Sequence, residues 1–149
     1  MLKNKNIVVT GAGSGIGQAT SLLAASYGAN VLCVDLTDGA DTTAAQIVQA
    51  GGSALAHRAN VAEESEVEGY IDACVTAYGG IDGIYANAGV SGGGKSVTQL
   101  TVEDWQRTLG VNTVGVFLAV KHSLKHFLPQ GHGAILCTAS VAGLRANAG

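Results

Sequence analysis

The chain has 149 residues, 47% of them hydrophobic and 13% charged, with a formal net charge of −3. A chain of this length and composition can bury a core of its own, so we expect one globular domain over residues 1–149. Its eight lysines and arginines are scattered along the sequence. Without a basic cluster, we expect neither nucleic acid nor a membrane surface as a partner.

Short, continuous apolar runs alternate with longer segments along the whole chain, and most of the 22 glycines lie at the boundaries between them. Runs without polar alternation are typical of parallel strands that are covered on both faces. The alternation predicts an α/β fold, a Rossmann-type doubly wound parallel sheet with strand order 3-2-1-4-5. The predicted strands contain residues 7–9, 31–34, 54–56, 81–86 and 134–137.

The clearest helix is predicted over residues 63–78. Three glutamates fall in its first turn and Gly79 follows its last residue, which suits the helix dipole and the preference for glycine at a helix end. Its apolar residues recur at helical spacing, namely Val67, Ile71, Cys74, Val75 and Tyr78.

A glycine-rich segment, Thr10-Gly11-Ala12-Gly13-Ser14-Gly15-Ile16-Gly17, connects the first strand to the next helix. A strand, a glycine loop and a helix start in this order direct backbone N–H groups at a pyrophosphate. The common G-x-G-x-x-G spacing fails because Ile16 occupies the third glycine position. The alternative is a glycine turn that serves only tight packing between strand and helix.

Asp35 closes the second predicted strand. An acidic residue at this place hydrogen-bonds the adenosine ribose of a bound dinucleotide, and its charge repels a 2′-phosphate. The following Leu36 and Thr37 offer no cation. Asp35 therefore favours NAD over NADP as the cofactor, and the alternative is a solvated aspartate at a strand end.

The spacing T-G-x-x-x-G-x-G, which begins at Thr10, resembles the short-chain dehydrogenase/reductase family. Ser14 stands where the extended branch of that family has glycine, which favours the main branch. Asn87-Ala88-Gly89 is similar to the family's N-N-A-G element, with Ala86 in place of the first asparagine. The cofactor-binding residues that the resemblance implies are Thr10, Gly11, Ser14, Gly15, Ile16, Gly17, Asp35, Asn60, Val61, Asn87, Ala88 and Gly89. Asn60 stands where the family usually has an aspartate that meets the adenine.

Two catalytic residues follow from the same resemblance. Asn112 matches the family's catalytic asparagine, which bends its helix and holds a water in the proton relay. Ser140 matches the serine that steadies the oxygen of the substrate. From local sequence alone, Asn112 is an ordinary polar helix residue and Ser140 a loop cap. Residues 92–94 form a glycine run that we expect to be a mobile loop near the substrate site, or else a simple flexible turn.

The segment 114–120 is apolar on all sides, so we expect its helix to be covered on more than one face. In the family the equivalent helix contributes to a dimer interface, which implies a homo-oligomer, dimer or tetramer, for the full-length protein. His122 and His126 lie four residues apart, but Lys121 and Lys125 would repel a cation. We expect no metal site, and we interpret this segment as a basic helix end that complements the dipole.

Cys33, Cys74 and Cys137 are odd in number and lie within apolar stretches, so we interpret them as buried thiols. The sequence starts without a signal-peptide pattern, and no apolar stretch is long enough to span a bilayer. We expect a cytoplasmic protein.

The resemblance implies an NAD-dependent oxidoreductase that interconverts a secondary alcohol and a ketone. The family's Tyr-x-x-x-Lys pair would lie beyond Gly149, so we expect the 149 residues alone to be inactive, with the strand at 134–137 left as an apolar sheet edge. A non-catalytic dinucleotide-binding module is the alternative. An S-adenosylmethionine methyltransferase is disfavoured by the glycine spacing and by the order of Asn87, Asn112 and Ser140.

Overall fold

Strands and helices alternate along the chain in the computed structural model, which describes residues 1–92 and 94–145. The strands are β1 (Asn6–Thr10), β2 (Asn30–Asp35), β3 (Ser53–Arg58), β4 (Gly83–Ala86) and β5 (Ala134–Cys137). The helices are α1 (Gly15–Ser26), α2 (Gly39–Gln49), α3 (Glu64–Tyr78), α4 (Val102–Leu109) and α5 (Gly115–Gln130), with a π-helical turn over Gly110–Val114 between the last two. Gly93, the centre of the glycine run predicted to be a mobile loop, lies outside the described residues.

The five strands form one parallel sheet in the order β3-β2-β1-β4-β5. The predicted fold class and strand order are thus confirmed. Because β1 lies between β2 and β4, the chain crosses from one side of β1 to the other after β3. In folds of this kind, ligands bind at the carboxyl ends of the strands where the order reverses. The sheet therefore predicts a site at the ends of β1, β2 and β4.

Helices cover both faces of the central strands. Val8, Leu32 and Ile84 pack on one face in a cluster that includes buried residues of α3 and α5. Val9 and Val31 pack on the other face with buried residues of α1 and α2. Burial on both faces explains why these strands read as unbroken apolar runs.

The predicted helix over 63–78 is confirmed within one residue, as α3 begins at Glu64 and ends at Tyr78. Gly79 follows in the left-handed conformation, with φ of 81°, and its N–H donates to the carbonyl of Val75. A glycine reaches this conformation without the steric cost that a Cβ would add.

The interpretation of all three cysteines as buried thiols is wrong for Cys137. Cys33 and Cys74 are buried, and burial raises the pKa of Cys33 to about 11 and that of Cys74 to about 12. Cys137 is exposed because β5 pairs only with β4 among the described strands, and all four residues of β5 are exposed. Residues 134–137 thus form the expected apolar edge of the sheet. The interpretation of Cys137 failed because an apolar run does not reveal whether a strand is central or terminal in the sheet.

Helix α5 packs against both β4 and α3, as expected for a helix covered on more than one face, but part of the apolar segment 114–120 is exposed. Leu118 and Ala119 are buried against the sheet, while Val114 and Phe117 are 42% and 59% exposed. Within the described residues, no helix has both the length and the apolar character needed to cross a membrane.

The interpretation of the segment around His122 as a basic helix end is also wrong, because α5 continues to Gln130 and its last turn holds no basic residue. The His122 imidazole is buried, and its Nε2 lies 3.0 Å from the carboxylate of Glu64 on α3. Lys121 Nζ lies 2.6 Å from the same carboxylate, and Lys125 pairs with Glu68 at 2.9 Å. These contacts join α5 to α3. The basic residues of α5 are therefore explained by their pairing with the glutamates of α3.

Two tyrosines of α3 generate a stability prediction. Tyr70 is fully buried, burial raises its pKa, and its hydroxyl has no hydrogen-bond partner within the described residues. The Tyr78 hydroxyl donates to the carbonyl of Val31 at 3.2 Å. We expect Tyr70→Phe to raise the free energy of unfolding by about 1 kcal/mol and Tyr78→Phe to lower it by a similar amount. Urea unfolding of both variants measures this, and a Tyr70→Phe variant less stable than wild type would contradict it.

Candidate functional site

A cleft of about 470 Å³ opens at the carboxyl ends of the strands, at the place that the sheet topology predicts. Most of the predicted cofactor-binding residues line it: Gly11, Ser14, Gly15, Ile16, Asp35, Asn60, Val61, Asn87, Ala88 and Gly89. Thr10 and Gly17 are buried next to these residues. The structure thus brings the residues predicted from separate segments into one site, and their contact with a cofactor stays a prediction.

Close contacts in the glycine loop require glycine at defined positions. A Cβ on Gly17 would overlap the carbonyl oxygen of Gly11, so only glycine lets the start of α1 approach the end of β1 this closely. Gly11 and Gly15 have φ of +67° and +54°, in the left-handed region that favours glycine. The space around Gly15 is open, and a Cβ at this position would meet no described atom within 4 Å.

The start of α1 faces the cleft with unused hydrogen-bond donors. Ser14 is the N-cap residue, but in the described part of the chain its side chain makes no capping hydrogen bond. The first N–H groups of a helix have no intrahelical partner, and they carry the positive end of the helix dipole. Ser14, Gly15 and Ile16 line the cleft at this point, so the site offers an anion such as a pyrophosphate a set of free donors.

Asp35 is held in place by its own neighbours. Its Oδ2 accepts from the Gly13 N–H at 2.9 Å, and its Oδ1 accepts from the N–H and hydroxyl of Thr37 at 3.0 and 2.9 Å. The carboxylate therefore has a fixed orientation at the cleft wall, unlike a freely solvated aspartate. The described lining includes no lysine or arginine.

Gly13 was not predicted as a site residue, yet it positions Asp35. A Cβ on Gly13 would lie 2.8 Å from Asp35 Oδ2 and 3.0 Å from the Cα of Gly39 at the start of α2. The position therefore requires glycine for close packing. The sequence did contain a signal for this role, because Gly13 is a further glycine between Gly11 and Gly15 of the T-G-x-x-x-G-x-G spacing.

Asn60 and Val61 lie at the cleft after β3, where the resemblance implies adenine contact. The Asn60 Oδ1 accepts from the Ala62 N–H at 3.1 Å, and the Asn60 N–H donates to Glu66 Oε2 at 2.6 Å. An amide oxygen has two lone pairs, so Oδ1 keeps one for a ligand donor.

Thr10 and Asn87 tie β1 to β4 at the base of the cleft. The Thr10 hydroxyl oxygen accepts from the N–H groups of Asn87 and Ala88, each at 3.0 Å. The Asn87 Nδ2 donates to the Thr10 carbonyl at 3.1 Å. These bonds fix the two strand ends relative to each other.

Asn112 lies in the π-helical turn between α4 and α5, where the resemblance implies a bend. Its Oδ1 accepts from the Val90 N–H and its Nδ2 donates to the Val90 carbonyl, both at 2.8 Å. Val90 lines the cleft. Asn112 thereby anchors the loop after β4 beside the site, and its side chain is not itself part of the cleft wall.

Ser140 is exposed and follows the carboxyl end of β5, the end of the sheet at which the cleft opens. Its Oγ accepts from the Ala142 N–H at 3.2 Å, the local contact of a loop-capping serine. Within the described residues no hydrogen bond joins Ser140 to Asn112. Thr138, two residues earlier, does line the cleft, and sequence reasoning did not select it.

Fold and site together define a Rossmann-type α/β protein whose cleft is built around a glycine loop. The sequence matches the short chain dehydrogenase family over residues 5–149, and the chain belongs to that family.

Similar proteins extend well beyond the matched region. The chain is 38% identical over 142 residues to cyclohexanol dehydrogenase of Acinetobacter sp. (strain SE19), covering 95% of the chain and 57% of that protein. It is 39% identical over 136 residues to cis-4-hydroxycyclohexanecarboxylate dehydrogenase of Sinomonas cyclohexanicum, covering 91% and 55%. The crystal structure of NAD⁺-bound xylitol dehydrogenase superposes with a TM-score of 0.92 at 32% identity, covering 98% of the chain and 56% of that structure.

The contact between Gly17 and Gly11 predicts the effect of a small substitution. Gly17→Ala forces the glycine loop to move, so we expect the free energy of unfolding to fall by about 1–3 kcal/mol. Gly69→Ala in α3 is the matched control, because at that described position no atom outside the local helix backbone lies within 4 Å. The control should raise stability by about 0.5–1 kcal/mol. Equal stability of Gly17→Ala and wild type in denaturant unfolding would contradict the contact.

Proposed function

We propose that this chain is the cofactor-binding part of an NAD(H)-dependent oxidoreductase that interconverts a secondary alcohol and a ketone. The observation that carries the proposal is the fixed Asp35 carboxylate, which lies beside the open N-terminus of α1 in a single cleft. A pyrophosphate needs the helix donors and a ribose diol needs the carboxylate. The two groups lie together as a dinucleotide would require.

Each part of the cleft has a proposed role. The backbone N–H groups at Gly15 and Ile16 bind the pyrophosphate, and Asp35 accepts hydrogen bonds from the adenosine ribose. Asn60 and Val61 contact the adenine. Ala88 and Gly89 form the floor of the cleft. The hydrogen bonds between Thr10, Asn87 and Ala88 fix their position. When bound, NAD⁺ supplies the ring that accepts hydride.

The preference for NAD over NADP rests on charge. A 2′-phosphate would meet the Asp35 carboxylate in a cleft whose described lining holds no cation. Arg58 is the register partner of Asp35 on β3, but its guanidinium pairs with Asp38 at 3.4 Å on the protein surface. Like charges at short range disfavour binding.

The proposed substrates are secondary alcohols on six-membered rings, because the names of the two similar dehydrogenases describe such compounds. Ser140 is proposed to hold the reacting oxygen, and Asn112 to support the proton path through its hold on Val90. We propose a cytoplasmic homo-oligomer, for which the exposed Val114 of the π-helical turn and Phe117 of α5 provide an apolar contact surface.

A non-catalytic dinucleotide-binding module is the second candidate function. This candidate is favoured by the hydrogen bond from the Ala142 N–H to Ser140 Oγ, because that bond gives the serine a structural role as a loop cap. The chain spans little more than half of its similar dehydrogenases, so we propose that residues 1–149 alone bind the dinucleotide without turning over substrate.

The cofactor preference gives the first test of the proposal. Asp35→Asn should weaken NAD⁺ binding roughly 10- to 100-fold, as expected for lost charge-assisted hydrogen bonds, and should shift the ratio of NAD⁺ to NADP⁺ affinities toward NADP⁺. Asp72→Asn, at an exposed aspartate of α3 that does not line the cleft, is the matched control and should leave the ratio unchanged. Isothermal titration measures both ratios. An Asp35→Asn variant with the wild-type ratio would contradict the role of the carboxylate.

Turnover separates the enzyme from the binding module. The full-length gene product should reduce NAD⁺ in the presence of cyclohexanol, measured as NADH absorbance. Ser140→Ala should lower kcat by about 10²-fold or more while NAD⁺ affinity stays constant. Ser26→Ala, far from the cleft on α1, is the control. NAD⁺ binding without turnover on any cyclic secondary alcohol would support the module instead.

A further inference from the structure

A chain of hydrogen bonds joins the ends of β5, β4 and β1 on the side of the cleft away from Asp35. Thr138 follows β5, and its backbone N–H continues the ladder by donating to the carbonyl of Ala86 at 3.1 Å. Its hydroxyl oxygen lies 2.9 Å from the hydroxyl oxygen of Tyr85 and 3.0 Å from Asn87 Oδ1. Thr138 and Asn87 both line the cleft, while Tyr85 is half-buried behind them.

The donors in this chain can be assigned from its fixed end. The Thr10 carbonyl can only accept, so the Asn87 group that faces it at 3.1 Å is the Nδ2 donor. Asn87 Oδ1 therefore faces Thr138, and the single hydroxyl proton of Thr138 is used in donating to it. Tyr85 must then donate its own proton to the Thr138 oxygen. The direction runs from Tyr85 through Thr138 and Asn87 to Thr10.

This arrangement leaves the Thr138 oxygen with one free lone pair. Because its proton is committed to Asn87 and one lone pair to Tyr85, the remaining lone pair has a defined direction. The oxygen can accept a hydrogen bond from a ligand donor in the cleft, such as an amide N–H or a ribose hydroxyl.

The position of Thr138 identifies the part of the ligand concerned. Asp35 lies at the end of β2, and two strands separate β2 from β5 in the sheet. If the adenosine ribose lies at Asp35, as in the proposed function on which this inference rests, the nicotinamide riboside lies toward β5. We propose that Tyr85 is a positioning residue for the nicotinamide half of the cofactor site, and that it acts by orienting the hydroxyl of Thr138.

The test compares NAD⁺ with ADP, which lacks the nicotinamide riboside, by isothermal titration of the full-length gene product. Tyr85→Phe and Thr138→Val should each weaken NAD⁺ binding about 2- to 10-fold, the range expected for one hydrogen bond, and leave ADP binding unchanged. Thr138→Ser keeps the hydroxyl and should restore the wild-type affinity. Tyr27→Phe, an exposed tyrosine at the end of α1, is the matched control.

The double variant tests whether the two residues act through one chain. Tyr85→Phe combined with Thr138→Val should bind NAD⁺ no more weakly than Thr138→Val alone, whereas additive losses would overturn the inference. Equal weakening of NAD⁺ and ADP would also overturn it, because it indicates a general distortion of the cleft. Unchanged NAD⁺ affinity in both single variants would overturn it and leave the proposed function intact. Failure of the wild-type protein to bind either nucleotide would reject the proposed function, and this inference with it.

Discussion

The contact between Gly17 and the carbonyl of Gly11 determines where helix α1 begins relative to β1. Since no side chain fits between them, the helix starts directly above the strand end, and its first N–H groups open into the cleft. The same loop places Gly13 against Asp35 and Gly39, which aligns the end of β2 and the start of α2 with the glycine loop. One close approach between backbone segments thus sets the positions of the N-terminus of α1 and of the Asp35 carboxylate together.

The strand ends are fixed independently by polar contacts. The bonds of Thr10 with Asn87 and Ala88 connect β1 to β4, and those of Thr138 extend the connection to β5. These groups are only partly buried, so each bond contributes modestly to stability, and their main effect is to define direction. A cleft whose floor is held in this way needs little reorganisation when a ligand binds, which favours affinity.

Much of the fold follows from local sequence. Apolar runs bounded by glycine predicted the five strands, and the glutamates and Gly79 placed the ends of α3. The errors concern contacts between distant segments. Cys137 looks like a core residue in sequence and is exposed because β5 has a neighbour on one side only. The basic residues of α5 look like a helix end in sequence, but Lys121 and His122 lie within the helix and contact Glu64 of α3.

The site shows the same division between local and distant information. The glycine spacing, Asp35 and Asn87 were identified from sequence, and the structure gathers them around one cleft. The bonds that orient Asp35 and the contribution of Thr138 depend on segments brought together by the sheet, which no local pattern reveals. The π-helical turn at Asn112 lies between these cases, since a resemblance implied the bend while the contact with Val90 appears only in three dimensions.

The most direct test of this account is a crystal structure of the full-length gene product with NAD⁺. The account predicts the adenosine ribose hydroxyls within hydrogen-bond distance of Asp35, the pyrophosphate at the N–H groups of Gly15 and Ile16, and the nicotinamide riboside beside Thr138. A dinucleotide bound in the reverse direction, or bound away from the N-terminus of α1, would contradict it.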